Sequence, residues 1–537
     1  MRHTAAFRKR TGWNVLLALG LALFLALGAC SGDGGGSSDA GRGRVSSMVL
    51  DRGAISPEEG TYADNRYTRW INENGPVDVT FVPIPRAEAV NKLNVLLASG
   101  DAPDVLAEYD TAWLGEMANQ RQLLPLDELI EAHGTEYKRL LERYPMLRKL
   151  GTMEDGKLYL IGSVSRKSNS YGIFIRQDWL ERLGLSAPET VDALFEVARA
   201  FAERDPDGNG KRDTYGLNMS YEAIHQIDVM FGNEMMIVRD DRLVRQFDRI
   251  EAATAFKKKL FEAGVVDRDF LTDKNGQQAL LDFANGKLGI YMGQRRSVDA
   301  VFNALKANAP DAKVAPIRYP TSPFGSYGPD FNPPFYMNAA INARAEDPVA
   351  ALRFIDFMLQ PKSIETIEYG FEGEHYVRAA DGCPQPIDAV RNKREVFGGE
   401  LAIWKASALL PNCRGDSRLL SSTDPIDREY LEMYRQSESI YWDPSRPHPG
   451  FTNPRYRPVL PTELQNAFND GWSEMNSLVA RSIVSGDAYP PAQAVKDIRA
   501  SWIAGGGEAV EAWYDAWYRE HKDDWVFMEE LYRTKVE

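Results

Sequence analysis

Short apolar runs alternate with helical periods along the first part of this chain, and that alternation limits the fold more than any other feature. Met48-Val49-Leu50 leads to a polar helical stretch around Asn65 to Asn72, and Val77-Asp78-Val79-Thr80-Phe81-Val82 follows. From Arg86 to Ser99 the residues Val90, Leu93, Leu96 and Leu97 share one helical face; Gly100 ends the run, and Pro103-Asp104-Val105-Leu106 supplies the next extended segment. Such runs read as β-α-β units, and units in series favour an α/β domain with a mainly parallel sheet. Roughly 490 residues lie beyond Arg44, more than one core ordinarily serves, so two lobes are expected.

Two places have the character of crossovers between lobes. A short apolar strand at Leu158 to Ile161 passes through a polar stretch into Tyr171-Gly172-Ile173-Phe174-Ile175, and Pro, Gly, Tyr and Phe crowd together from Pro316 to Pro334. The expected division is 46–165 with about 316–395 in lobe 1, and 166–315 with about 396–537 in lobe 2. The tail from Pro461 to Tyr532 reads helical, and Val510, Trp513 and Trp517 fall on one face as core residues.

The amino-terminal residues read as an export signal. Arg2, Arg8, Lys9 and Arg10 precede an apolar run from Trp13 to Leu27, too short for an ordinary spanning helix, and Leu27-Gly28-Ala29-Cys30 follows. Leu-Gly-Ala-Cys is similar to the bacterial lipobox, whose cysteine is diacylated. The expectation is a signal peptide at 1–29, lipidation at Cys30 with membrane attachment on the extracellular face, and a flexible Gly/Ser/Asp-rich tether at 30–45. An uncleaved anchor helix is the alternative, and it leaves the same domain outside.

The net charge is −14, and the basic cluster of the first ten residues contains no acidic group, so the rest is more acidic still. An acidic surface repels phosphate backbones, and no basic block is interleaved with aromatics, which argues against nucleic acid as a partner. Besides Cys30 the chain has Cys383 and Cys413, which can form one disulfide or remain separate thiols.

Residues 205–213 read Asp-Pro-Asp-Gly-Asn-Gly-Lys-Arg-Asp. Oxygen side chains at Asp205, Asp207, Asn209 and Asp213, with the Lys211 carbonyl and a turn at Gly210, make a calcium-loop pattern. The twelfth position is Gly216 where an EF-hand carries a bidentate glutamate, so a paired-helix sensor is not expected. A solvated Asp/Asn/Gly turn is the alternative. The helix before the loop is marked by an N-cap at Thr190, by Asp192 in its first turn, and by a stripe of Val191, Leu194, Phe195 and Ala198.

Several segments in order resemble the family 1 extracellular solute-binding lipoproteins of ABC importers, especially long carbohydrate-type members. They are Leu97-Ala98-Ser99-Gly100-Asp101-Ala102-Pro103-Asp104-Val105, Ile175 to Leu185 leading through Pro188 and Thr190 into the 205–213 loop, Asn285-Gly286-Lys287-Leu288-Gly289, and Tyr369 to Tyr376. The resemblance implies an α/β, periplasmic-binding-protein-like type II fold, in which two lobes joined by a hinge close on ligand held in the cleft. It also implies a structural calcium at Asp205, Asp207, Asn209, Lys211 and Asp213, with Thr214 standing where members often carry a further carboxylate. The implied partners are a carbohydrate, taken to be an oligosaccharide, and the permease subunits of an ABC importer, with the binding protein a monomer that performs no chemistry.

Sugar faces lie well on aromatic rings, and sugar hydroxyls pair with amides, carboxylates and Arg. On that basis the candidate ligand residues are Trp113, Tyr171, Arg295, Phe335, Tyr336, Trp404 and Trp442. Each has a plainer reading as a core, turn or solvated residue. A competing class is an exported calcium-containing glycan-active enzyme, and another is a sugar-sensing lipoprotein receptor. The chain has no His-Glu-x-x-His, Gly-x-Ser-x-Gly or Walker loop, although carboxylate pairs defined only in space remain open.

Overall fold

Nine strands carry the two main sheets: β1 (Arg44–Asp51), β2 (Asp78–Pro85), β3 (Val105–Ala107), β4 (Leu160–Val164), β5 (Tyr171–Arg176), β6 (Tyr215–Leu217), β7 (Leu288–Gln294), β8 (Val314–Ile317) and β9 (Phe335–Ile341). In this computed structural model the described residues are 42–537 apart from 54, 167, 381, 399–400, 402–408, 411–419, 421–422, 535 and 537. The expected signal peptide, Cys30, Trp404 and Cys413 therefore lie outside them. Cys383 is disulfide-bonded.

The first sheet has the order β2-β1-β3-β9-β4. β1 runs parallel to β2, from Arg44 opposite Asp78 to Asp51 opposite Pro85, and parallel to β3, whereas β9 is antiparallel to β3 and β4. The sheet is thus mixed, because β9 enters from the far side of the molecule instead of through a βαβ crossover. Arg44 and Val45, expected at the end of the tether, already belong to the sheet. The helix read at Arg86–Ser99 runs over Ala89–Ser99 and buries Ala89, Leu93 and Leu97; it ends at Gly100, whose φ of 87° suits a residue without a Cβ.

The second sheet has the order β8-β5-β7-β6, with β5 antiparallel to both β7 and β8. Against it lies the Val191–Glu203 helix, where the Thr190 hydroxyl accepts from the Ala193 N–H at 3.1 Å and Val191, Leu194, Phe195 and Ala198 are buried, as the sequence reading has it. Gly216 in β6 is required by close approach: a Cβ there would sit 2.3 Å from the Ala198 carbonyl oxygen. The Thr462–Val484 and Pro491–Ala504 helices contribute Met475, Val479, Ile483, Val495 and Ile498 to the same core. Val510, Tyr514 and Trp502 centre a neighbouring cluster on which Trp513 and Trp517 pack.

The chain passes from β4 to β5 and returns from β8 to β9, and these two connections pair with each other. Phe331–Asn332 lies antiparallel to Ser168–Asn169. Tyr441 stiffens the junction: its hydroxyl accepts from the Ile173 N–H at 2.8 Å and donates to the Ile317 carbonyl at 2.9 Å. The C-terminal stretch returns to the first core through Val526, Met528, Leu531 and Tyr532, instead of staying with the second lobe where the reading puts 396–537. The physical reason is an aromatic cluster, with Trp442 4.5 Å from Phe331 and 5.7 Å from Tyr532 between ring centroids.

Candidate functional site

A cavity of about 250 Å³ opens where the crossovers leave the second sheet. Its wall combines Tyr171 at the start of β5, Glu222 to Met235, Arg245, Asp330 in the returning crossover, His448 to Arg457, and Trp472 and Met475 on the Thr462–Val484 helix. No segment supplies the site alone.

At one end the Glu222 carboxylate accepts from the Tyr171 hydroxyl at 3.2 Å and from the Gln294 amide at 2.8 Å. Burial, and then the nearby Glu222 charge, push the Tyr171 hydroxyl well above its usual value, so it acts as a neutral donor. Beside it Trp472 is 36% exposed, and its ring stacks on His225 with centroids 6.2 Å apart and planes 23° from parallel. An exposed indole held by a neighbouring ring is a platform for the C–H face of a sugar or another flat apolar surface.

The charges in the wall are mostly compensated. Asp228 meets Lys257 at 2.6 Å and accepts from the Asn233 amide at 2.7 Å. Burial pushes Asp228 up, but Lys257 and His225 outweigh it and hold the carboxyl below its usual value. Glu234 pairs with Arg457 at 3.3 Å and faces His448 at 3.6 Å. Asp330 accepts from the Phe331 N–H at 2.8 Å and the Asn453 amide at 3.1 Å, and burial raises its pKa.

Of the candidate ligand residues, Tyr171 lines this cavity. Tyr336 lies close by: its hydroxyl donates to Asn332 at 3.1 Å, and the Arg455 guanidinium covers its ring at 4.6 Å. Trp113 and Phe335 sit in the first core instead, 6% and 1% exposed, and the Trp113 indole N–H donates to Asn94 at 2.8 Å. Trp442 packs against that core from its edge, held by Phe331 and Tyr532. Arg295 donates to the Tyr430 hydroxyl at 2.9 Å and lies 3.8 Å over the Tyr434 ring, bound to the Pro425–Tyr441 helix and away from the cavity. Sequence reasoning missed Trp472, Glu222, Arg245 and Arg457. Glu222 follows Tyr221, a bulky residue at φ 52°, but that backbone signal exists only in three dimensions.

The 205–213 loop turns through left-handed backbone at Asp205, Gly208 and Gly210. The Asp205 carboxylate accepts from the Asn209 and Gly210 N–H groups, both at 3.0 Å. Oxygens of Asp207 and Asp213 converge on one point, the Asn209 amide nitrogen, at 2.7 and 3.1 Å. Burial, and then the neighbouring Asp205, push the Asp207 carboxyl above its usual value. This donor set fits a hard divalent ion, and Asp205, Asp207, Asn209 and Asp213 could hold one with the Lys211 carbonyl. Thr214 adds no obvious ligand, since its buried hydroxyl donates to the Phe201 carbonyl at 2.7 Å.

Glu374, His375 and Glu395 also lie close enough to share a metal. Their carboxylates are already engaged, however. Arg66 meets Glu374 at 2.8 Å and Glu395 at 3.3 Å, and Arg391 meets the same two at 2.7 and 2.8 Å. The cluster is an ion-pair knot around a fully buried histidine.

A family model described as "Bacterial extracellular solute-binding protein" matches residues 59–365. Among curated proteins, the chain is 30% identical over 448 residues to the polygalacturonan/rhamnogalacturonan-binding protein YtcQ of Bacillus subtilis, covering 80% of this chain and 85% of that one. The fold is that of solved solute-binding proteins. An HMO binding ABC-transporter associated protein from Bifidobacterium longum infantis superposes with a TM-score of 0.70 at 18% identity, covering 89% of this chain and 99% of that one. A Streptococcus pneumoniae FusA "EF-hand mutant" in complex with fructo-nystose superposes at 0.66 and 17% identity, covering 90% and 100%. These are two-lobed periplasmic-binding-type II proteins.

Proposed function

This chain belongs to the bacterial extracellular solute-binding proteins, and we propose that it captures an oligosaccharide in the cavity beside its crossovers and delivers it to the permease of an ABC importer. The observation that carries this reading is the pairing of an exposed, stacked Trp472 with a wall of positioned polar groups, Tyr171, Glu222, Gln226 and Asn233, beside the segments that would bend. An aromatic face with fixed hydrogen-bonding groups matches the two surfaces of a sugar. The related YtcQ, named for polygalacturonan and rhamnogalacturonan, supports a glycan as the solute. Closure of the lobes would bury the sugar and turn its binding energy into a shape the permease reads.

In this reading the protein works by binding and not by catalysis. It is held on the extracellular face of the cell membrane by acyl chains at Cys30, and calcium at Asp205, Asp207, Asn209, Lys211 and Asp213 clasps the turn after the Val191–Glu203 helix. A melting-temperature screen against oligosaccharides, followed by calorimetry, tests the reading. A bound sugar raises Tm by mass action. If no glycan shifts Tm, or if glycans are turned over, the reading is wrong.

A further inference from the structure

Arg245 is a cation without a counter-ion in the wall of the cavity. It is 8% exposed, and its guanidinium contacts the sulfurs of Met235 and Met475 and lies 4.1 Å over the Trp502 ring and 5.3 Å over that of Phe247. Its Nε is buried with no hydrogen-bond partner. The other basic side chains lining the cavity each face a carboxylate: Arg457 and His448 face Glu234, and His225 faces Asp228 at 3.8 Å. Among the described residues no carboxylate lies within ion-pairing distance of Arg245.

Methionine sulfur is a weak acceptor, and an aromatic face recovers only part of what water gave a guanidinium. Burying such a charge without an anion is costly, and proteins tolerate it where a ligand completes the pair. The cost is visible in the group itself, since burial pulls Arg245 down to about 10, with only the more distant Glu511 opposing. The carboxylates around it do not fill the role: Asp228 is held by Lys257, and Glu234 by Arg457.

Resting on the oligosaccharide reading, we propose that the solute is an acidic sugar whose oxyanion, a carboxylate or a sulfate, seats on Arg245. A planar guanidinium edge with a free Nε–H and adjacent Nη–H groups matches two oxygens of such an anion. Trp472 would take the apolar face of the same sugar or its neighbour, placing one anchor for charge and one for ring on the same wall.

The test is calorimetry with the full chain and four probes: trigalacturonate, its methyl ester, a sulfated disaccharide, and neutral maltotriose. Expected is tight binding of trigalacturonate or of the sulfated probe, whichever anion the site takes, with at least about thirtyfold weaker binding of the ester and of maltotriose. Arg245→Met should lose about the same factor toward the anionic probe and little toward the neutral ones, and Arg245→Lys should retain part of the affinity. Melting of each free variant checks folding, and Arg245→Met is expected to melt no lower than the parent because the charge is gone. Equal binding of the neutral and anionic probes, or an unchanged anionic affinity in both variants, overturns the acidic-sugar proposal and leaves oligosaccharide capture standing. No binding of any sugar overturns both.

Discussion

Trp472 and His225 meet as side chains from segments far apart in sequence, and the indole keeps a third of its surface open on a helix that buries Met475, Val479 and Ile483. Truncation there removes an aromatic face and little else. Trp472→Ala should weaken sugar binding by roughly 5- to 30-fold, about 1–2 kcal/mol, and leave the melting temperature of the free protein within a degree or so. Calorimetry and a melting curve on the same sample check it, and a large drop in Tm would make the indole structural instead. His375 shows the opposite arrangement, a fully buried ring whose Nδ1 accepts from the Phe371 N–H at 2.9 Å. Burial, with Arg66 beside it and against Glu374 and Glu395, lowers its pKa below the usual 6.5. The unfolded chain then binds a proton that the folded chain refuses, so stability is full above 6.5 and is lost as pH falls below it. Urea midpoints measured between about pH 7.5 and 5.5 should fall, and His375→Asn should flatten part of that slope; an unchanged slope in the variant would refute the assignment.

At the scale of elements, local chemistry decided what could be read. The Val191–Glu203 helix was legible from cap to stripe because Thr190 and the apolar period act within a few residues. The 205–213 loop was legible as a pattern for the same reason, but the fate of Thr214 was not, since its acceptor, the Phe201 carbonyl, is a tertiary neighbour. Which of two neighbouring aromatics is buried was not legible, because Phe335, which turns into the core, and Tyr336, which stays half-buried, look alike in sequence; the pleat settles that, and a bulge between Met337 and Ala339 shifts the register. If the loop holds calcium, chelation should lower Tm by about 2–5 °C, and Asp207→Ala should melt at that lower temperature with or without chelator. Sugar preference should not change in either case. A melting curve indifferent to chelator in the parent protein would leave the loop as a solvated turn.

At the scale of the whole molecule, the two main sheets are connected by crossovers that pair with each other at 168–169 and 331–332. The alternation of strand and helix announced an α/β fold with two lobes, and the Pro/Gly-rich segment announced a crossing, because both follow from short-range pattern. The mixed order of the first sheet did not, since it depends on β9 arriving after more than 150 residues spent in the other lobe. Lobe closure should appear as a fall in radius of gyration by small-angle scattering when a binding sugar is added, and no change at saturating ligand would mean that the lobes are already closed or do not move.

The return of the C-terminus to the first core bears on how that motion can run. A connection made only of the paired 168–169 and 331–332 segments could bend and could also twist about its own length. Tyr532, seated against Phe331 and Trp442, accepts from the His448 backbone N–H through its hydroxyl at 3.1 Å and so ties the C-terminus to that crossover. We expect that tie to favour bending over twisting as the lobes close, which would keep the two halves of a bound sugar in line.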